Sequence, residues 1–388
     1  MRVLIYRWGA YTEEDIIHYL GLAGLKTDVF ICELNDKNND ELFEGKIGKV
    51  LRDGEFDFVF SVNYFPVVAK ICHKLNIRYV SWSYDAPLNV VNIEETLGLS
   101  TNKVYMFDRQ QVNFYRAKGF DNVEHLPLGI PVDRYDRIKV SETDKKKYGS
   151  SVSFVGSLYN DLLGSYISPL GDYDKGYITA ICKAQSNIYG AYIANENITD
   201  ELIDRINERY REVNPDTKIV MSREALSYAM ASHVTREDRL TILGVLSSKC
   251  DLKYFSGENN DILKNATYGG RVDYINEMPK VFKSSTINLN ITLRILQSGI
   301  PLRALDIMGC RGFLLSNYQP ELAEYFKDGE EMVMYTSIGD AIEKALFYSK
   351  NIKKAKQISC KGYEKVKRDF NYTKCLSKMI KDLKGDYS

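Results

Sequence analysis

Short apolar runs alternate with longer segments of helical character through the first 136 residues. The runs read MRVLIY, KTDVFICEL, FDFVFSVN, IRYVSWSYD, KVYMFDR and VEHLPLGI. Each is apolar almost throughout rather than at every second position, which is how a strand buried on both faces of a parallel sheet reads. Between them, YFPVVAKICHKLN places Val67, Val68, Ile71, Cys72 and Leu75 at helical spacing. Repeated strand–helix–strand units of this kind predict a doubly wound α/β fold. The rhythm stops after Gly129 and Pro131, where a charged stretch near 137–150 reads as a domain boundary. SVSFVGSLY then restarts a buried strand that ends in a glycine turn. From 158 to about 248 the strand signal fades, and ITDELIDRINERYREV and REALSYAMASHV read as helices of an insertion. Strand-like runs return in DLKYFSG, STINLNI, GFLLSNY and EMVMYTS. A chain of 388 residues is long enough for two cores. The expected division is a first domain over 1–140, a second over 150–365 containing the insertion, and a terminal helix over 366–388.

Charge narrows the function classes. Lys plus Arg and Asp plus Glu each number 52, so the basic excess of a nucleic-acid binder is missing. No apolar run approaches the roughly 20 residues that cross a bilayer. The start, MRVLIYRW, reads as a first strand rather than a leader. Seven scattered cysteines, none in a Cys-x-x-Cys pair, suit reduced thiols and a cytoplasmic protein. Four histidines, and strand ends without Asp-x-Asp, lead us to expect no metal site. No strand is followed by Gly-x-Gly-x-x-Gly or a Walker-type Gly-Lys-Ser/Thr, which weighs against dehydrogenases and P-loop NTPases.

In open parallel sheets ligands bind beyond the carboxyl ends of the strands. In the first half, Asp85 follows such an end between aromatic residues and a proline. It suits a base toward a hydroxyl or a sugar ligand, and equally an Asx-type turn. His18 and His125 are rival bases. In the second half, Gly156 and Ser157 fit either a phosphate cradle or an ordinary strand-to-helix turn. Asn288, Asn290 and Thr292 close another strand, and Arg303 with Asp306 share one face of a helix opened by Pro301. An arginine there suits a phosphate and an aspartate a ribose diol.

The segment STINLNITLRILQSGIPLRALDIMGCRGFLLSNYQPELAEYFKDGEEMVMY resembles the donor domain of the CgeB-like glycosyltransferases, which are related to the retaining GT-B sugar transferases. FVGSLY is similar to that group's entry into its second domain, HLPLGIPVDRYD to the exit from the first, and YVSWSYDAP to a tryptophan–aspartate–proline motif. The resemblance implies two Rossmann-like domains facing a cleft, with no cofactor beyond a nucleotide-diphosphate sugar as co-substrate. It implies Gly156 and Ser157 at the diphosphate, Asn288 and Asn290 near sugar or phosphates, and Asp306 at the ribose. Lys283, Arg294 and Arg303 are the cations expected to steady the departing diphosphate without a metal. Asp85 is the expected catalytic carboxylate on the acceptor side. Where the wider family carries two glutamates separated by seven residues, this chain has Ser298 and Asp306. The acceptor is a protein, a glycan or a small molecule. Other readings are a nucleotide-sugar epimerase or hydrolase, and a silent binding protein on the same scaffold. From residue 351 the tail carries eleven Lys and Arg against four Asp and Glu. Its apolar positions Tyr363, Val366, Phe370 and Tyr372 favour docking on protein over contact with an anionic membrane.

Overall fold

The computed structural model describes residues 1–88 and 90–385. They form two compact units, one of residues 1–134, 299–305 and 366 onward, the other of 135–298 and 306–365. In the first unit the chain runs β1 (Arg2–Arg7), α1 (Glu13–Leu22), β2 (Lys26–Ile31), α2 (Glu41–Asp53), β3 (Phe58–Val62) and α3 (Pro66–Lys74). It continues through β4 (Arg78–Ser83), α4 (Glu94–Leu97), β5 (Asn102–Met106), α5 (Arg109–Ala117) and β6 (Val123–His125). All pairings are parallel, in the order β2-β1-β3-β4-β5-β6. The continuous apolar runs are the central strands: every residue of β3 is buried. Their side chains meet Phe43, Ile47 and Leu51 of α2 and Val67, Val68 and Ile71 of α3. Helix starts are chemically marked. Asp40 accepts from the Phe43 N–H, Asp108 accepts from the Gln110 and Gln111 N–H groups, and Pro66 opens α3.

The polar stretch after Pro131 is ordered rather than a bare linker. It holds α6 (Val132–Arg137) and α7 (Glu142–Tyr148), the latter started by a capping box between Ser141 and Asp144. The second unit continues with β7 (Val152–Val155), α8 (Leu162–Ile167), α9 (Asp172–Ser186), α10 (Asp200–Val213) and α11 (Arg223–Ser247). Then come β8 (Leu252–Phe255), β9 (Thr267–Tyr268), α12 (Met278–Ser284), β10 (Ile287–Asn290), α13 (Leu302–Gly309) and β11 (Leu314–Asn317). The chain ends with α14 (Pro320–Tyr325), β12 (Val333–Tyr335), α15 (Ile338–Lys350), α16 (Ile352–Asp369) and α17 (Tyr372–Gly385). The second sheet is also parallel, in the order β12-β11-β10-β7-β8-β9. Helices α8 to α11 enclose a core of their own around Ile178, Leu202, Ile206, Leu226 and Met230.

The basic tail lies in α16 and α17. Its apolar side is buried, with Tyr363, Val366, Phe370, Tyr372 and Leu376 all inaccessible or nearly so. Helix α17 packs on α1 within the first unit.

Packing is tight where α16 passes the loop before β12. A Cβ on Gly362 would lie 2.2 Å from the Glu331 carbonyl oxygen. Gly362→Ala is expected to cost about 1–3 kcal/mol by overpacking, read as a lower urea midpoint at unchanged slope.

Candidate functional site

The order of the second sheet fixes where a ligand fits. From β7 the chain builds outward to β8 and β9, and from β10 it builds the other way to β11 and β12. Neighbouring strands β7 and β10 therefore send their following loops apart, leaving a crevice outside their carboxyl ends. One lip is Gly156-Ser157 and the other is Ile291-Thr292. A single guanidinium joins them: Arg239 donates to the carbonyls of both Ser157 and Ile291. Its Cζ stands 4.7 Å from the centre of the Tyr159 ring and 5.2 Å from that of Phe154. Helix α11 brings it there. Leu240, Leu243 and Leu246 pack with the sheet, whereas Leu226, Met230 and Val234 belong to the core of the preceding helices. Arg239 lies where one gives way to the other. Nearby, His233 Nδ1 is 3.3 Å from Asp161 Oδ1.

Arg239 was not among the residues expected from sequence, and several that were expected are engaged elsewhere. Arg294 is 5% exposed. It forms a two-nitrogen pair with Asp238 at 2.8 and 2.6 Å. It also donates to the Ile188 carbonyl (2.9 Å) and the Ser186 carbonyl (3.3 Å) and lies 3.6 Å from the centre of the Tyr189 ring. Burial pushes the Asp238 carboxyl upward, against the pull of Arg294. The expectation that Arg294 faces a diphosphate is corrected: it ties α11 to the end of α9. Lys283 is corrected likewise. Its ammonium donates to the carbonyls of Tyr135 (2.6 Å) and Ile138 (2.7 Å), holding the chain that leaves α6, and burial lowers its pKa.

Asn288 is also internal. Its amide oxygen accepts from the Ser153 hydroxyl at 2.7 Å and its nitrogen donates to the Phe282 carbonyl at 3.2 Å, so it cross-links strands rather than meeting a sugar. Gly156 donates its N–H to the Phe255 carbonyl, which removes that amide from any oxyanion cradle. Ser157 is exposed, and its hydroxyl accepts from the Tyr159 N–H at 3.0 Å in a turn. Asn290 donates to the hydroxyls of Thr292 and Ser316 at 3.0 and 2.8 Å, at the lip itself.

Asp306 and Arg303 both lie on α13. Asp306 is 1% exposed, and its Oδ1 accepts from the hydroxyls of Tyr135 (2.7 Å) and Tyr274 (3.1 Å). Two phenols therefore already share this carboxylate oxygen. Arg303 is half-buried. A carboxylate not foreseen from sequence is Glu321, 2% exposed, which accepts from the Ser298 hydroxyl at 2.8 Å. Among the described residues no group of three or more His, Cys, Asp or Glu is placed to hold a metal ion. No helix among them is long and apolar enough to cross a membrane.

At the carboxyl edge of the first sheet, Asp85 stands two residues beyond β4. Asn63, the residue after β3, adopts φ +63° and directs its side chain at this turn. Its oxygen accepts the N–H groups of Tyr84 (2.7 Å) and Asp85 (3.2 Å), while its nitrogen donates to Asp85 Oδ2 at 2.8 Å. Loss of hydration raises the pKa of the Asp85 carboxyl, opposed by the Asn63 bond and the charge of Lys37. The rival His125 is held by the Phe107 carbonyl, 3.2 Å from Nε2.

Comparison with known proteins agrees with this architecture. Residues 218–381 match a family model described as glycosyl transferase-like. No curated protein matches the chain by sequence. Among solved structures, sucrose-phosphate synthase from Thermosynechococcus elongatus superposes with a TM-score of 0.60 at 9% identity, over 100% of this chain and 99% of its own. A glycosyltransferase from Rickettsia africae gives 0.56 at 10% identity, over 99% and 98%. Anabaena HepE, solved with UDP and glucose, gives 0.54 at 10% identity, over 99% and 100%. The fold is thus of the GT-B type, with a Rossmann-like parallel sheet in each unit.

The reassignment of Arg294 has a measurable consequence. Arg294→Ala leaves Asp238 buried without its partner and is expected to cost about 3–5 kcal/mol in denaturant unfolding. Joint replacement, Arg294→Met with Asp238→Leu, is expected to recover most of that loss.

Proposed function

We propose that the protein is a glycosyltransferase that moves a sugar from a nucleotide-diphosphate sugar to an acceptor hydroxyl. The observation that carries this reading is the glycosyl transferase-like match over 218–381, because that segment supplies Arg239 and β10 at the crevice of the second sheet. Anabaena HepE was solved with UDP, which makes uracil the first base to test.

In this reading the diphosphate lies over the lips of β7 and β10. Arg239 brings fixed positive charge there, its guanidinium already oriented by two carbonyls, and the exposed Ser157 hydroxyl adds a donor. Preorganised charge of this kind stabilises the leaving group without reorganisation at the moment of reaction. Transfer is retaining and needs no metal ion. The acceptor oxygen bonds to the anomeric carbon as the bond to the diphosphate breaks, and the acceptor proton passes to the departing diphosphate oxygen. Asp85 aligns the acceptor hydroxyl as a carboxylate. Asp306 acts by holding Tyr274 beside the nucleotide, and Glu321 with Ser298 supports the start of α14.

A thermal-shift panel of UDP, GDP, dTDP and CDP tests the donor side. At least one is expected to raise the melting temperature, and Arg239→Ala should abolish that rise in protein that still melts cooperatively. A flat response to all four would remove the transferase reading. Incubation with the matching nucleotide-sugar should release nucleoside diphosphate equally well with or without EDTA. Rescue of an EDTA-inhibited enzyme by manganese would contradict metal independence.

Turnover also depends on pH in a defined direction. Asp85 works ionised and its pKa is raised, so activity should fall on acidification at a higher pH than an aspartate of ordinary pKa, about 3.9, would give. Asp85→Asn should lower turnover more than donor affinity and remove that acidic limb. An unchanged limb in the variant would assign it to another group.

A further inference from the structure

The first sheet has a crevice of the same origin as the second. Its order places β1 beside β3, with β2 built outward on one side and β4 to β6 on the other. The loops after β1 and β3 therefore diverge, as they do where ligands enter doubly wound sheets. Trp8 stands on the first of these loops and Asn63 on the second.

Trp8 is 43% exposed, yet it is held at several points. Its backbone N–H donates to Glu13 Oε1 at 3.0 Å, and the next N–H, of Gly9, donates to Glu13 Oε2 at 3.1 Å. Glu13 is itself buried in the first turn of α1. The indole Nε1 donates to the Val62 carbonyl at 2.7 Å, and the ring meets Phe65 edge-on with centres 6.0 Å apart. With its nitrogen satisfied, what the indole offers to water is hydrocarbon, fixed in orientation. Solvent-exposed side chains ordinarily keep their rotamer freedom, and ordering a large aromatic one costs entropy.

Val62, which takes the indole N–H, directly precedes Asn63, which holds Asp85. Their Cα atoms are about 3.8 Å apart across one peptide. A rigid apolar plane and a carboxylate with an amide are thus anchored to consecutive residues at one strand end. This pairing suits a ligand with an apolar face and a rim of hydroxyls. A pyranose has both, its axial C–H groups making one face apolar and its equatorial hydroxyls surrounding it. A flat cation would also stack on tryptophan, but the positive charge of Lys37 acts on the same carboxylate and disfavours a second cation.

We propose that this edge is a carbohydrate-binding subsite, with Trp8 as the stacking platform and Asp85, held by Asn63, as the hydroxyl acceptor. The proposal rests on the transferase reading and makes its acceptor a glycan rather than a protein side chain or a lipid.

The chain has two tryptophans, and the other, Trp82, is fully buried. Acrylamide quenching of tryptophan fluorescence therefore reports Trp8. The full-length protein, without nucleotide, is titrated with disaccharides of glucose, galactose, mannose and N-acetylglucosamine. At least one is expected to shield Trp8 from quenching with a saturating dependence. Its affinity, followed calorimetrically, should fall by at least about tenfold in Trp8→Ala and Asp85→Asn, and little in Trp8→Phe. Thermal stabilisation by whichever of the four nucleoside diphosphates the unaltered protein binds should survive in all three, which separates this subsite from the donor reading. Shielding that persists when no nucleoside diphosphate binds would leave the subsite standing and remove the transferase. Absence of shielding by every saccharide would overturn the proposal, and so would shielding by tetramethylammonium alone.

Discussion

Two carbonyl groups on opposite lips of a parallel sheet point at one guanidinium, and the second unit is arranged around that meeting. Ser157 and Ile291 end neighbouring strands whose chains leave in opposite directions, so nothing in the sheet ladder joins their loops. Arg239 joins them from a helix that is itself shared between the sheet core and the core of α8 to α10. Five donors in a planar fork suit this task, since a lysine ammonium presents no flat face to Tyr159 and Phe154 while meeting two separate acceptors. Removing the charge would release the lips and leave the two carbonyls facing each other across the crevice.

The rest of that region is fixed by the same economy of buried charge. Arg294 and Asp238 are paired, and the nitrogens of Arg294 left over reach carbonyls at the end of α9. Lys283 closes the end of α6 in a similar way. A buried cation is stable only where its donors are met, and in this fold peptide carbonyls meet many of them. These cations of the second unit hold elements together before they are available to any ligand. Of the three, Arg239 is the one oriented directly at the strand ends of the switch point.

The sheets were legible because a strand covered on both faces is apolar along most of its length, and FDFVFSVN or MRVLIY shows this without knowledge of partners. The short edge strand β9 gave no such signal: Thr267 and Tyr268 are exposed. The helices between 158 and 248 were legible from their spacing, but that they enclose a core of their own was not. Side-chain roles were harder, since they depend on partners remote in sequence. Arg294 meets an aspartate 56 residues away and Lys283 a carbonyl 148 residues away. Asn288 was expected near sugar or phosphates from its strand-end position and the resemblance of its segment, and the structure satisfies it internally with Ser153. Asp85 was placed at its strand end correctly, whereas Asn63, which holds it, carries only the faint local mark of an asparagine after a strand, a residue tolerant of positive φ.

The last helix bears on the order in which this chain can acquire structure during synthesis. Tyr372 of α17 packs against Gly129, lies 6.1 Å from the ring of Trp82 and shares a hydroxyl contact of 3.1 Å with Tyr84. Arg78 donates to the Leu383 carbonyl at 3.0 Å. The side of the first unit formed by β4 to β6 is therefore unfinished until residues 366–385 leave the ribosome. Domains ordinarily fold in the order they emerge. Here the residues of the second unit are all available first, so the unit made earliest is the one completed last. A ribosome stalled before residue 366 would display a first sheet with Tyr84 and Trp82 uncovered on that side, a surface for chaperones to read.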